Sequence, residues 1–189
     1  MALSPNTVIY DVQQVKIYPM STVDTVGGAS PTYGAGIILE GAADFSVTPN
    51  IVTAELKGDG GQIISKMGRV DMWSASITYG RLGLSILSAV MGGAYSDTGT
   101  GSAETIAWAL SAPNLLPYFK LEAQILNTDN GVGSVNAVLF KCSLKSATFL
   151  DSKTDAFGQP KMDVEAIPLL STNEIGVLTM YATATAIDV

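Results

Sequence analysis

The sequence predicts a mainly β fold, an antiparallel sandwich or barrel with one short α-helix on its flank. Three observations lead there. Stretches of alternating apolar and polar residues recur along the chain, and a period of two with one apolar face is the pattern of a half-buried antiparallel strand. Only one segment, Leu82 to Met91, carries a helical spacing of apolar residues. Breaks rich in Gly, Pro, Ser and Thr separate the patterned stretches, and many strands joined in this way bury their apolar faces most readily as a sandwich or barrel.

Thr7 to Tyr18, rich in Val, Ile and Tyr, reads as the first strand, ended by Pro19. Met20 to Ala35 is a Ser/Thr/Gly loop, long for a connection inside a compact domain, and Gly36 to Leu39 is a short apolar piece. From Asp44 the alternation is strict. Phe45 and Val47 oppose Asp44, Ser46 and Thr48; Pro49 interrupts; Val52, Ala54 and Leu56 then oppose Thr53, Glu55 and Lys57. Both halves are expected to be half-buried. Gly58 to Gly61 is a turn whose glycines accept positive φ, and Gln62 to Gly68 is a mixed loop or an extended hairpin tip. In Val70 to Tyr79, Trp73, Ala75, Ile77 and Tyr79 share one face, while Ser74, Ser76 and Thr78 share the other.

Leu84, Leu87 and Met91 fall at i, i+3 and i+7 with Ile86 and Val90 beside them, which predicts a helix of about ten residues lying on a sheet. Gly92 is placed to end it, and no Ser, Thr, Asp or Asn caps its start. Ala94 to Ala103 is a second Gly/Ser/Thr loop, and Glu104 to Leu110 is a strand or a helical turn. Phe119, Leu121, Ala123 and Ile125 alternate with Lys120, Glu122 and Gln124, and Asn130-Gly131 signals a type I′ hairpin. The return strand is expected to turn Val138, Phe140, Cys142 and Leu144 inward and Lys141, Ser143 and Lys145 outward. A parity shift before Phe149 implies a bulge. Met162, Val164 and Ala166 continue the pattern to Pro168, and Val177 to Ile187 is the last strand. There is no internal repeat.

At 189 residues the chain is one domain, residues 1–189, long enough to bury a core. Charged residues make up 14% of it, against roughly 25% in ordinary soluble domains, and the mean hydropathy is +0.32. So few charges coat a free monomer poorly, whereas a large interface between copies, which resembles a domain core cut in half, removes the difficulty. The net charge of −7 and the scattered basic residues oppose duplex or RNA binding. The N-terminus has neither a basic stretch nor an apolar run of signal type, and no apolar stretch reaches the roughly 18 residues of a membrane span. Synthesis in a cytoplasm without export is the expectation.

Chemistry has little to work with. The chain has no histidine, so the commonest general base and metal ligand is missing and no Ser-His-Asp or Cys-His pair can form. Cys142 reads as a buried small hydrophobe. Paired carboxylates remain chemically conceivable for glycoside hydrolysis, but the 17 acidic residues lie mostly on polar strand faces or in turns, where solvated surface is the ordinary role. Gly58-Asp59-Gly60-Gly61 lacks the Lys-Ser/Thr of a phosphate loop. Asp151-Ser152-Lys153-Thr154-Asp155 loosely resembles a calcium loop but departs from it at Lys153 and in its misplaced Gly and terminal Glu. Trp73 and Trp108 read as core. The expectation is no enzyme, no catalytic, cofactor or metal site, and no cofactor.

Residues 42 to 93 carry a resemblance. Val47-Thr48-Pro49, Glu55-Leu56-Lys57-Gly58-Asp59, the polar-faced strand from Met72 to Thr78, and Leu84 to Gly93 resemble, in order and spacing, the tail tube proteins of bacteriophages. That resemblance covers about a quarter of the chain. It implies a β-sandwich with a flanking helix. Copies would join into hexameric rings that stack into the tail tube of a virion, and viral DNA would pass through the lumen as transient, non-specific cargo. Other implied partners are the tape measure protein and the tail terminator and tip proteins, and a long non-contractile tail is favoured. The loops at about 20–35, 58–68 and 93–103 and the terminal arms become candidate stacking elements, and Ser74, Ser76 and Thr78 a candidate channel wall. The alternatives are a head–tail connector or capsid decoration protein, or a small β-barrel that binds an apolar ligand.

Overall fold

The computed structural model describes residues 9–59, 61–127, 133–150, 157–184 and 187. The elements in chain order are β1 (Ile9–Pro19), β2 (Ile37–Ile38), β3 (Asp44–Lys57), β4 (Ile63–Thr78), α1 (Leu84–Met91), β5 (Ala94–Thr98), a 3-10 turn (Gly101–Ala103), β6 (Thr105–Ala109), β7 (Phe119–Asn127), β8 (Ser134–Thr148), β9 (Lys161–Ala166) and β10 (Gly176–Tyr181). Eight strands form one antiparallel sheet in the order β2-β1-β7-β8-β9-β4-β3, with β10 also paired to β8. β5 and β6 form a separate two-stranded ladder. The described residues make a mainly β fold with one α-helix, a sandwich in which one long sheet closes over its own core.

β8 makes the closure. Its first part, Ser134 to Leu139, pairs with β10, and its second part, Cys142 to Thr148, pairs with β9. The change of partner falls at Phe140-Lys141. There the ladder to β7 also slips: Leu121 faces Leu139, but Phe119 faces Cys142. Three steps on β8 match two on β7, a bulge that bends the strand and lets it cross from one layer to the other. A second slip lies between Leu144 and Ser146. The inward residues therefore run Val135, Ala137, Leu139, then Cys142 and Leu144, with Ala147 and Phe149 packed against the core. The expected shift before Phe149 is present. The one at Phe140-Lys141 was not read, and it corrects the register: Val138 and Phe140 do not point into the core. Both are apolar, so the alternation carries no mark of the slip.

Buried residues from β1, β4, β7, β8, β9 and α1, together with Leu39 and Tyr79, form one cluster. Ala75 and Ile77 of β4 with Tyr79 just beyond its end, Phe119, Leu121 and Ala123 of β7, and Met162, Val164 and Ala166 of β9 are buried as their alternation predicts. Cys142 is buried too, and burial pushes its thiol pKa up. α1 covers the core with Ile86, Leu87, Ala89 and Val90. Its start at Gly83 has no side-chain cap, and it ends at Gly92 with φ 75, the Gly92 amide donating to Ser88 O. At Gly93 (φ 91) a Cβ would stand 2.5 Å from Ala109 O, so only glycine lets β5 begin there. Trp108 is half-buried and outside the core cluster; its indole N–H donates to Gly92 O at 2.8 Å.

The Tyr79 hydroxyl is buried without a hydrogen-bond partner among the described residues, and burial pushes its pKa up to about 12. An unmet buried hydroxyl costs about 1–3 kcal/mol. Tyr79→Phe is therefore expected to stabilise the protein by about 1 kcal/mol and raise Tm by roughly 2–4 °C in calorimetry. An unchanged or lower Tm would show that the hydroxyl is satisfied.

Several boundaries differ from expectation. The loop expected at 58–68 is only the turn between β3 and β4, because Ile63 to Gly68 belong to β4. The loop expected at 93–103 contains β5, paired residue for residue with β6 from Ala94↔Ala109 to Thr98↔Thr105. The last strand ends at Tyr181 rather than Ile187. β7 and β8 pair as a hairpin, but the Asn130-Gly131 turn, the Asp151 to Asp155 segment and the terminal arms at 1–8 and 188–189 lie outside the described residues.

Candidate functional site

Three surfaces stand out, and the first is an arm. β3 and β4 pair over their whole length, from Asp44↔Thr78 to Lys57↔Ile63. β9 supports β4 only from Trp73 to Thr78. Beyond that, Asn50 to Lys57 and Ile63 to Val70 project as a two-stranded ribbon with every residue exposed. Ile51, Val52, Leu56, Ile63, Ile64, Met67 and Val70 are all exposed, Met67 at 75%. Val52, Ala54 and Leu56 were expected to be half-buried, and they are not. β3 runs through Pro49 without a slip, and both register shifts skip residues of β4, Asp71 and Ile64. With period two unbroken in β3, Val52, Ala54 and Leu56 lie on the same side as Ser46 and Thr48, opposite Phe45 and Val47. Val52, Ala54, Leu56 and Met67, the partner of Ala54, thus face away from the side that packs on the core, while Ile51 and its partner Val70 lie on that side.

Val52 and Ala54 pair with Arg69 and Met67, and these four side chains line a shallow depression of about 390 Å³. The opposite side carries the cross-strand pair Glu55–Lys66, 3.0 Å apart. A two-stranded ribbon is marginal alone in water, and an exposed apolar strand edge invites pairing. β3 ends the sheet order, and Pro49 sits on it, as proline in a sheet does at an edge.

The second surface is a polar face. Register places Ser46, Ser76, Asp163 and Ser146 side by side across β3, β4, β9 and β8, with Thr48, Ser74, Glu165 and Ser143 in the next row. Ser146 donates to Asp163 Oδ2 at 2.8 Å. The hydroxyls of Ser76 and Ser146 hold the Asp163 carboxyl below its usual pKa, against a smaller opposing effect of burial. Lys145 lies 2.7 Å from Glu165, whose hydrogen bond and charge raise the lysine's pKa. A shallow depression of about 420 Å³ lies over this face. The sequence read Ser74, Ser76 and Thr78 as one polar face, and they are. It did not place Asp163, Glu165 and Lys145 beside them, because that neighbourhood depends on strand order.

The third surface is the loop at 20–35, which folds back on the outer side of β7 and β8. Lys141, expected outside, does leave the core face but is covered by this loop. Its ammonium lies 2.8 Å from Asp24 Oδ2 and 4.9 Å from the centre of the Tyr118 ring. Tyr33 donates to Phe140 O at 2.8 Å. Lys120 sits over the rings of Tyr18 and Tyr33 and 2.6 Å from Glu122. The loop tip presents Val23 and Val26, each 83% exposed. No local pattern marks the Asp24–Lys141 pair, which joins positions 117 apart.

Among the described residues no group of three or more Cys, Asp and Glu side chains is placed to hold a metal ion, and no helix is long and apolar enough to cross a membrane. The chain matches no protein-family model, and no curated protein matches it.

Proposed function

We propose that this chain is a structural, self-assembling subunit whose copies close into rings and stack into a hollow tube, the tail tube of a bacteriophage. On this reading the rings are hexameric and viral DNA passes through the lumen without being read. The observation that carries it is the β3–β4 arm: residues 50–57 and 63–70 expose both faces of a two-stranded ribbon, apolar residues included. A surface of that kind is stable in water when another chain covers it. The low charge content and the unpartnered edge of β3 support the same reading, since ring closure pairs edges that would otherwise aggregate. The polar face of Ser46, Ser74, Ser76, Asp163 and Glu165 supports a wall that holds DNA weakly, because hydroxyls and carboxylates offer phosphates no cationic partner and the lysines beside them, Lys145 and Lys161, are paired with Glu165 and Asp163. The depressions over the polar face and over the arm are open to the surface, and the inward residues of the strands join in one core cluster, which favours assembly over a barrel enclosing an apolar ligand.

Negative-stain electron microscopy of the purified protein over a concentration series tests the proposal. Rings or hollow tubes are expected; a monomer that persists at high concentration overturns it. The wall is tested by Ser74→Lys with Ser76→Lys. Tubes are expected to form, and genome delivery from virions carrying them to slow, because lysines in the lumen attract phosphates. Unchanged delivery would mean that this face does not line the channel.

A further inference from the structure

Asp24 binds three separate parts of the chain at once. Oδ2 accepts from Lys141 Nζ of β8 at 2.8 Å and from the Leu170 amide at 2.7 Å, and Oδ1 accepts from the Ser171 amide at 3.2 Å. Both side chains of the ion pair are buried, Asp24 to 1% exposure and Lys141 to 8%. The turn that supplies the amides is itself closed by Leu169 N→Glu174 O and Asn173 N→Leu169 O, both 2.9 Å. The loop at 20–35 is closed by Ser21 N→Thr32 O and Gly34 N→Pro19 O, both 2.8 Å. Each piece is internally bonded, and Asp24 joins the two to each other and to the sheet. Beyond Asp24, Tyr33 bonds the loop to Phe140 O and Met20 N bonds it to Tyr118 O, while the limbs that flank the turn are bonded to β8 by Ile167 N→Lys141 O and Phe140 N→Ile175 O.

We propose that Asp24 is the catch of a two-part latch: while its carboxylate is charged, the loop at 20–35 and the turn at 169–174 are clamped together on β8, and loss of that charge releases both as one unit while the sheet stays folded. Release leaves Lys141 and Tyr118, which line a depression of about 400 Å³ under the loop, open to an anionic group from elsewhere. The groups facing Asp24 are the Lys141 ammonium from β8, the Tyr118 ring stacked on that ammonium, Tyr33 from the loop's returning limb, and the two amides of the turn. Burial works to raise the carboxyl's pKa, but the Leu170 amide, Lys141 and the Ser171 amide outweigh it and hold it below the usual value. The sign follows. A lowered folded-state pKa gives stability that is complete above the unfolded value of about 3.9 and is lost as pH falls through the folded one. The latch is closed at neutral pH and opens in acid.

Hydrogen–deuterium exchange of the whole protein, read on peptides covering 20–35, 167–175 and 119–126 and corrected for intrinsic rates, tests this. In Asp24→Asn at pH 7 the first two peptides are expected to exchange together about a hundredfold faster, with the β7 peptide unchanged. In the unaltered protein the same two are expected to open together as pH falls below about 4, ahead of β7. If the variant unfolds outright, the acid titration of the unaltered protein decides. Opening of only one of the two pieces, or opening of all three peptides together at every pH, overturns the latch.

Discussion

Replacing Val52 and Met67 together with glutamate is expected to abolish ring and tube formation while leaving the monomer folded. Both side chains stand on the arm's apolar side, 43% and 75% exposed, and neither belongs to the core cluster or packs against it. Exposed substitutions away from special backbone positions change stability by about 0.5 kcal/mol or less, so Tm should scarcely move. An interface that buries this face would then have to bury two carboxylates without partners, and unpaired buried charge costs several kcal/mol at each site. Repeated in every subunit of a ring, that cost exceeds what a protein contact of ordinary size supplies. Electron microscopy and a thermal melt on the same sample check it. Tubes of normal appearance would show that the arm's apolar side stays open in the assembly, and a large fall in Tm would show that it packs within the monomer.

Phe119→Ala is expected to be the most damaging single truncation of the core. Phe119 is fully buried where β8 crosses between layers, and its register partner is Cys142, the first inward residue after the bulge. Emptying that position removes the packing that holds the bend in place. Phe-to-Ala changes in cores cost roughly 3–5 kcal/mol, a large part of the 5–15 kcal/mol typical of a domain, and Tm should fall by on the order of 10 °C. A loss below about 1 kcal/mol in denaturant or thermal unfolding would mean that the layers do not close around this ring.

The strand faces were legible wherever burial was simple. Trp73 to Tyr79, Phe119 to Ala123 and Met162 to Ala166 alternate, and the predicted sides are the buried ones, because each strand has one core face and one polar face. The helix was legible for the same reason, in its end at Met91 and its stop at Gly92, although it starts at Leu84 and has eight residues rather than the expected ten or so. Reading failed where the partner surface changes along a strand. In β8 the apolar pair Val138 and Phe140 hid a bulge, since residues apolar on both sides of a strand carry no parity. In β3 the pattern of Val52, Ala54 and Leu56 was real, but it described a face with no partner inside the chain. The segment 62–68 read as a mixed loop or an extended hairpin tip, and the second is what forms; the reading stayed open because Ser65, Lys66 and Gly68 dilute the pattern of Ile63, Ile64 and Met67, and an exposed ribbon has no core to sharpen it.

The sequence by itself determined the class of the fold, the inward faces of the central strands, the single helix and the absence of imidazole chemistry. These follow from local rules: a period of two or of 3.6, the backbone freedom of glycine, and which residues are present at all. Only the tertiary structure decided that Asp24 lies against Lys141, that Asp163 joins the row of Ser46, Ser76 and Ser146, and that the end of the β3–β4 hairpin stands clear of the body. Those facts depend on strand order and on where a strand changes layers. Contacts between residues far apart in the chain are set by how the whole chain closes its core, and no local pattern encodes that closure.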